Sequence, residues 1–173
     1  MIVVTETTDP VEFANIALKH EWNTRNKPIK YNELKASSSV PKVCYDIVTD
    51  VLVLNPRIYA RIHTKNPKAW KKGSDEYLEL FRDAIDLAMR NTDADELSVV
   101  IDHCSQLKDW TGVDAVIELA AYHKKTLIDV RQAASHDEYL LMVSDFVVYA
   151  IERAENMGDR SYMQNMKVIT RRL

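Results

Sequence analysis

The chain has 173 residues, 46% of them apolar and 28% charged, which fits one globular domain with a core of its own and excludes a disordered chain. Lys and Arg number 23 against 26 Asp and Glu, a formal net charge of −3. That balance excludes a whole-molecule attraction to nucleic acid or membrane, so any polyanion contact has to be local.

Apolar runs of period two alternate with runs of period near 3.6, the pattern of strands alternating with helices. The first strand is predicted at Ile2 to Thr5. Asp9-Pro10 then supplies an N-cap and a proline at the first helical position, opening a helix that carries Val11, Phe13, Ala14, Ile16, Ala17 and Leu18 and ends before Asn23. A weak strand signal follows at Ile29 to Leu34. The second helix begins near Ser39-Val40-Pro41, turns Val43, Cys44, Ile47, Val48, Val51 and Leu52 inward and Asp46, Thr49 and Asp50 outward, and stops at Asn55-Pro56. Arg57 to His63 reads as a strand. The third helix opens at Ser74 and buries Tyr77, Leu80, Phe81, Ile85 and Leu87, stopping near Asn91.

The strongest strand pattern is Leu97-Ser98-Val99-Val100-Ile101-Asp102, followed by a fourth helix after Thr111-Gly112 and a strand at Thr126 to Val130. The fifth helix, about Asp137 to Ala154, is apolar on most of its circumference and is expected to be buried. A short sixth helix is predicted over Tyr162 to Arg171, within about 160–172. No linker, repeat or low-complexity tract interrupts the chain, so 1–173 reads as a single α/β domain with a largely parallel sheet.

Several function classes fall away. The only glycines, Gly73, Gly112 and Gly158, are too dispersed for a Walker A, Rossmann or nucleophile-elbow loop. Cys44 and Cys104 form no Cys-x-x-Cys pair and are expected to be buried free thiols. The longest apolar run, Tyr139 to Ile151, contains Ser144 and Asp145 and is shorter than the roughly 20 residues a bilayer core requires. Neither a membrane partner nor a secretory signal is predicted, since residues 1–6 lack a basic n-region, and a cytoplasmic location is expected.

Charge is segregated. Arg57, Arg61, Lys65, Lys68, Lys71 and Lys72, with His63, form a run without an acid, whereas twelve acids crowd Asp75 to Glu118. Arg25, Lys27, Lys30 and Lys35, against only Glu21 and Glu33, add a second basic segment. In the loop 64–73, Trp70 stands among Lys65, Lys68, Lys71 and Lys72. That mixture suits a nucleic-acid backbone, with lysines on phosphates and an indole on a base, and equally suits a soluble loop whose Trp packs inward.

Asp102 ends its strand, where ligands gather in α/β folds and where Asp also caps turns. Asp145 lies in the apolar run Leu140 to Val148, so it needs a partner, a metal or an exit to solvent; Glu138 and Glu152, seven residues away on either side, can form a solvated stripe with it. Two such carboxylates brought together would hold Mg²⁺ or Mn²⁺ for phosphoryl chemistry. His103 and Cys104 lack the spacing of a zinc site. His123 with Lys124 and Lys125 suits a helix C-terminus, and His136 suits the cap of the fifth helix or a site-facing role.

Read in order, Ile2-Val3-Val4-Thr5, Ile29-Lys30 with Glu33-Leu34, Arg57-Ile58-Tyr59-Ala60, Val99-Val100-Ile101-Asp102, and Ser135 followed by Leu140-Leu141-Met142-Val143-Ser144-Asp145-Phe146 resemble an RNase H-like family, the domain of unknown function numbered 3800. The resemblance covers about 1–156. It implies an RNase H-like three-layer domain, a mixed or mostly parallel sheet of about five strands flanked by helices. Members open with a strand reading Tyr-Ile-Asp-Glu-Ser-Gly, absent here, and Pro28 stands where they carry a Glu two residues before Lys30. The missing strand is central in such sheets. It implies a start internal to a longer gene, a shift of residues 2 to 5 into the central slot, or a partner chain that completes the sheet.

The resemblance implies a divergent, degenerate metal-dependent nuclease or phosphodiester hydrolase. Asp102 and Asp145 would be catalytic metal ligands for Mg or Mn, Glu33 and Glu6 further catalytic candidates, and Lys65, Lys68, Trp70, Lys71 and Lys72 the nucleic-acid contacts. The alternative is a noncatalytic interaction or structural protein of the same fold that self-associates as a homodimer.

Overall fold

The computed structural model describes residues 1–24, 35–62, 75–103, 107, 110–164 and 166–172. Its elements run β1 (Ile2–Glu6), α1 (Pro10–Thr24), α2 (Pro41–Val53), β2 (Arg57–Ile62), α3 (Asp75–Asn91), β3 (Glu96–Asp102), α4 (Thr111–Tyr122), β4 (Thr126–Ala133), α5 (Tyr139–Met157) and β5 (Val168–Arg172). Short 3-10 turns occupy Ala36–Ser38, Ser135–Asp137 and Ser161–Met163. The class is α/β.

Local chemistry sets most of these boundaries. The Asp9 carboxylate accepts the Glu12 N–H at 3.0 Å, capping α1 just before its first-turn proline. Asn55, with φ 49°, and Pro56 end α2. Glu138 caps α5 by accepting the Leu140 N–H at 3.3 Å, and Gly158, at φ 69°, supplies the left-handed residue that closes it. Here the cap is Glu138, while His136 lies on the preceding 3-10 turn, exposed and 3.3 Å from Asp137.

The residues cluster into two compact units. One comprises Met1–Val4, Ile58–Ala133 and Val168–Leu173. Its strands form two small sheets: β1-β2-β5, with β2 in the middle, and the pair β3-β4. β2 and β5 run parallel, Ile58 beside Val168 through Ile62 beside Arg172, and β3 and β4 run parallel, Glu96 beside Thr126 through Asp102 beside Ala133. Phe81, Ile85 and Met89 of α3, Ile101 of β3, and Val113, Val116 and Ala120 of α4 form its apolar core. A Cβ on Gly112 would sit 3.0 Å from Leu107 Cδ1, so a larger residue in the first turn of α4 would require the Leu107 side chain to shift by a few tenths of an ångström.

One register irregularity reorganises β4. Leu97 faces Leu127 and Ser98 faces Asp129, which leaves Ile128 as the extra residue of a bulge. Leu127 and Val130, three apart, therefore both pack on the core. Ile128 is left 62% exposed.

The second unit, Thr5–Arg57 and Ala134–Lys167, is helical. α5 packs on both α1 and α2, and these two pack on each other. Phe13, Ala17, Cys44, Ile47, Val51, Val143, Phe146, Val147 and Ala150 are buried there. The expected burial of α5 is observed, and so is that of Cys44, a free thiol.

Two expectations are corrected. The five described strands lie in sheets of three and two instead of one sheet, because β2 takes its neighbours from the two ends of the chain, a long-range pairing that periodicity does not encode. The C-terminal helix expected over Tyr162 to Arg171 is a 3-10 turn followed by β5. There the β-branched run Val168-Ile169-Thr170 finds a parallel partner in β2, and pairing overrides local propensity. The weak strand predicted at Ile29 to Leu34 lies outside the described residues.

Candidate functional site

The carboxyl end of the parallel β3-β4 pair carries one of the carboxylates singled out in the sequence. Asp102 is the last residue of β3, exposed, and level with Ala133 of β4. The following N–H, of His103, donates to the Ala133 carbonyl at 2.9 Å, so the two chain ends stay paired one step beyond the strand. Trp110, 66% exposed and held at φ 62°, immediately precedes α4. A left-handed backbone at a non-glycine residue costs on the order of 1 kcal/mol.

Asp145 lies in the middle of α5, in the helical unit. Its Oδ2 accepts the backbone N–H of Ala36 at 3.1 Å. Ala36 opens the 3-10 turn before α2, and Lys35, at its N-cap, contributes no side-chain cap. Asp145 takes that place from across the bundle, and the carboxylate thereby ties the entry of α2 to α5. Beside it the Cys44 thiol donates to the Ala36 carbonyl at 3.6 Å. Burial pushes this thiol above its ordinary pKa, which keeps it protonated and unsuited to nucleophilic work near neutral pH.

Asp102 and Asp145 thus fall in different units. Glu6, at the end of β1, has its carboxylate 3.9 Å from the Arg57 guanidinium. Glu33, Lys65, Lys68, Trp70, Lys71 and Lys72 lie outside the described residues, as does Cys104. Among the described residues no group of three or more His, Cys, Asp or Glu side chains is arranged to hold a metal ion.

Two members of the basic run have structural roles. Arg57 faces Glu6, and Arg61, a member of the acid-free basic run, is buried with only 2% of its side chain exposed. It sits on β2 and ion-pairs with Asp83 of α3. β2 is the middle strand of its sheet and is buried from Ile58 to Ile62, so a charge on it is carried inward, and the surrounding basic residues conceal this in the sequence.

Two histidine–aspartate pairs also escaped the sequence pattern. His20 of α1 is buried, with Nε2 2.8 Å from Asp50 of α2, and Lys19 Nζ stands 2.8 Å from the same oxygen. Asp50 was expected to face out. Burial alone would raise its pKa, but the hydrogen bonds from Lys19 and His20 outweigh burial and hold it below the usual carboxylate value. His123, at the C-cap of α4, lies 2.8 Å from Asp86 of α3, which also pairs with Arg90. Each pair bridges two helices of its own unit, so the only sequence signal is a His on or capping one helix and an Asp on another.

At the C-terminal end of α5, Arg153 pairs with Asp159 at 2.8 Å and lies 5.7 Å and 5.8 Å from the ring centres of Tyr149 and Tyr162. Hydrogen bonds from Ser161 and Arg153 hold Asp159 below its ordinary pKa, and burial raises that of Tyr162. The cluster fastens the turn Ser161–Met163 to the helix. An open depression of about 330 Å³ beside it is lined by Ala154, Glu155, Arg160, Met163 and Gln164.

Among the described residues no helix is long and apolar enough to cross a membrane. Comparison with family models, with curated proteins and with solved structures finds no match.

Proposed function

We propose that this chain is a noncatalytic α/β interaction protein that associates with a second copy of itself. The observation that carries this reading is the bond from Ala36 N–H to Asp145 Oδ2. The helix carboxylate proposed as a metal ligand serves as a structural cap, and a carboxylate positioned by a backbone amide stabilises the fold in its own right. The edge of β4 that no described strand covers supports self-association.

A metal-dependent phosphodiester hydrolase of RNase H-like architecture is the second reading. It draws on Asp102, exposed at the carboxyl end of β3, with nucleic acid as substrate and Mg or Mn as cofactor. The roles of Asp102, Glu6, Glu33 and the Lys65 to Lys72 loop in catalysis and nucleic-acid binding belong to this reading.

The two readings give opposite expectations for Asp145 without added metal. If the carboxylate caps Ala36, Asp145→Ala lowers stability by about 1–2 kcal/mol, while Asp145→Asn, which keeps an acceptor oxygen, stays close to wild type. Urea titration of both variants reads the difference. An alanine variant as stable as wild type, or more stable, would show that Asp145 has no structural role and would return it to the metal-binding account.

A further inference from the structure

β3 occupies one side of β4, and no described strand occupies the other. The Ala133 carbonyl accepts from His103 on the β3 side. Alternation along the strand therefore turns the N–H and C=O of Arg131 toward β3 and those of Val130 and Gln132 outward. Val130 points its side chain into the core face. Because of the bulge at Ile128, Asp129 and Arg131 share the opposite face, where they form an ion pair with 45% of each side chain exposed.

A two-fold axis at Val130 converts this edge into a complementary surface. In antiparallel pairing Val130 would face its own copy, and their outward N–H and C=O groups would exchange two hydrogen bonds. The positions on either side would then be non-hydrogen-bonded pairs, the closer kind, with Cα atoms about 4.5 Å apart. Asp129 would stand opposite the second copy's Arg131, and Arg131 opposite its Asp129, giving four charges of alternating sign. Ile128, exposed on the bulge, would stand opposite the second copy's Gln132.

Charges on an open strand ordinarily discourage strand addition. The order here, acid then base about a central valine, discourages a parallel copy, which would set like charges against each other, and favours an antiparallel one. We infer that β4 is a homodimerisation strand. Two copies pair antiparallel about Val130 to form a continuous four-stranded sheet in the order β3-β4-β4-β3. This assignment rests on the self-association proposed above and names the surface responsible. One strand edge buries less than the roughly 1,600 Å² of a standard interface, so the dimer is expected to dissociate in the micromolar range.

Analytical ultracentrifugation of the full chain from about 5 to 200 µM, spanning that range, tests the assignment. Wild type is expected to approach twice the 19.9 kDa chain mass at the upper end. Arg131→Glu and Asp129→Arg are each expected to weaken the dimer about tenfold or more, since each sets like charges against each other at two symmetric positions. The double swap, Asp129→Arg with Arg131→Asp, restores both cross-strand pairs and the pair within the chain, and is expected to recover dimerisation to within about threefold of wild type. Far-UV circular dichroism confirms that each variant is folded. A wild type that stays monomeric would overturn both the strand assignment and self-association. A dimer indifferent to the single reversals, or not recovered by the swap, would overturn the role of β4 alone and place self-association on another surface.

Discussion

Replacing Phe146 by alanine is expected to cost about 3–5 kcal/mol. Phe146 is fully buried in α5, the helix that packs on both α1 and α2. Truncation removes an aromatic side chain and leaves a cavity lined by residues already in place. The buried neighbours Val143, Val147 and Ala150 lie on the same helix, and their backbone cannot collapse into the space. For a chain of this size the melting temperature should fall by roughly 10 °C. Urea and thermal denaturation followed by circular dichroism check this. A loss below about 1 kcal/mol would mean that α5 is not the central helix of its unit.

The second large effect concerns Arg61 and Asp83, which respond asymmetrically. Asp83→Ala removes a carboxylate that ion-pairs with a guanidinium buried on β2. The cost of breaking a fully buried pair is about 3–5 kcal/mol, and since 49% of the Asp83 side chain is exposed, a discounted loss of about 2–3 kcal/mol is expected. Arg61→Met removes the charge and keeps the length of the apolar stem, so it is expected to stay within about 1 kcal/mol of wild type. Chemical denaturation of the two variants side by side provides the check. Equal losses, or a larger loss for Arg61→Met, would show that the arginine stabilises β2 by some means other than this pairing.

Much of the fold could be read where the cause is local. Asp9-Pro10, Pro41, Asn55-Pro56 and the β-branched runs of β1, β3 and β4 carry their boundaries in adjacent residues, and these elements form within a few positions of where the pattern places them. The partition of strands into two sheets and the strand at Val168–Arg172 depend on pairing between distant segments. No window of the sequence contains both partners.

The candidate site divides along the same line. That Asp102 ends a strand is a local fact and was legible. That Asp145 needs a partner, a metal or an exit to solvent follows from its apolar surroundings, but the backbone amide it accepts from, at Ala36, carries no side-chain signature. The Ile128 bulge was likewise hidden, because a single extra residue changes which side chains share a face without changing composition. His20 with Asp50, His123 with Asp86, and Arg61 with Asp83 each join two elements whose adjacency exists only after folding.

Thermal melting of wild type, Asp102→Asn and Asp145→Asn with and without Mn²⁺, up to about 10 mM, tests the noncatalytic assignment most directly, because any ion held by the native state must stabilise it by mass action. The expected result is a Mn²⁺ shift below about 1 °C in all three proteins. An ion bound with a dissociation constant near 0.1 mM would add about 2.7 kcal/mol at that concentration, or roughly 5–10 °C for a chain of this length. A wild-type shift of that size, lost in Asp102→Asn, would contradict the account and identify Asp102 as a ligand of a metal-dependent site.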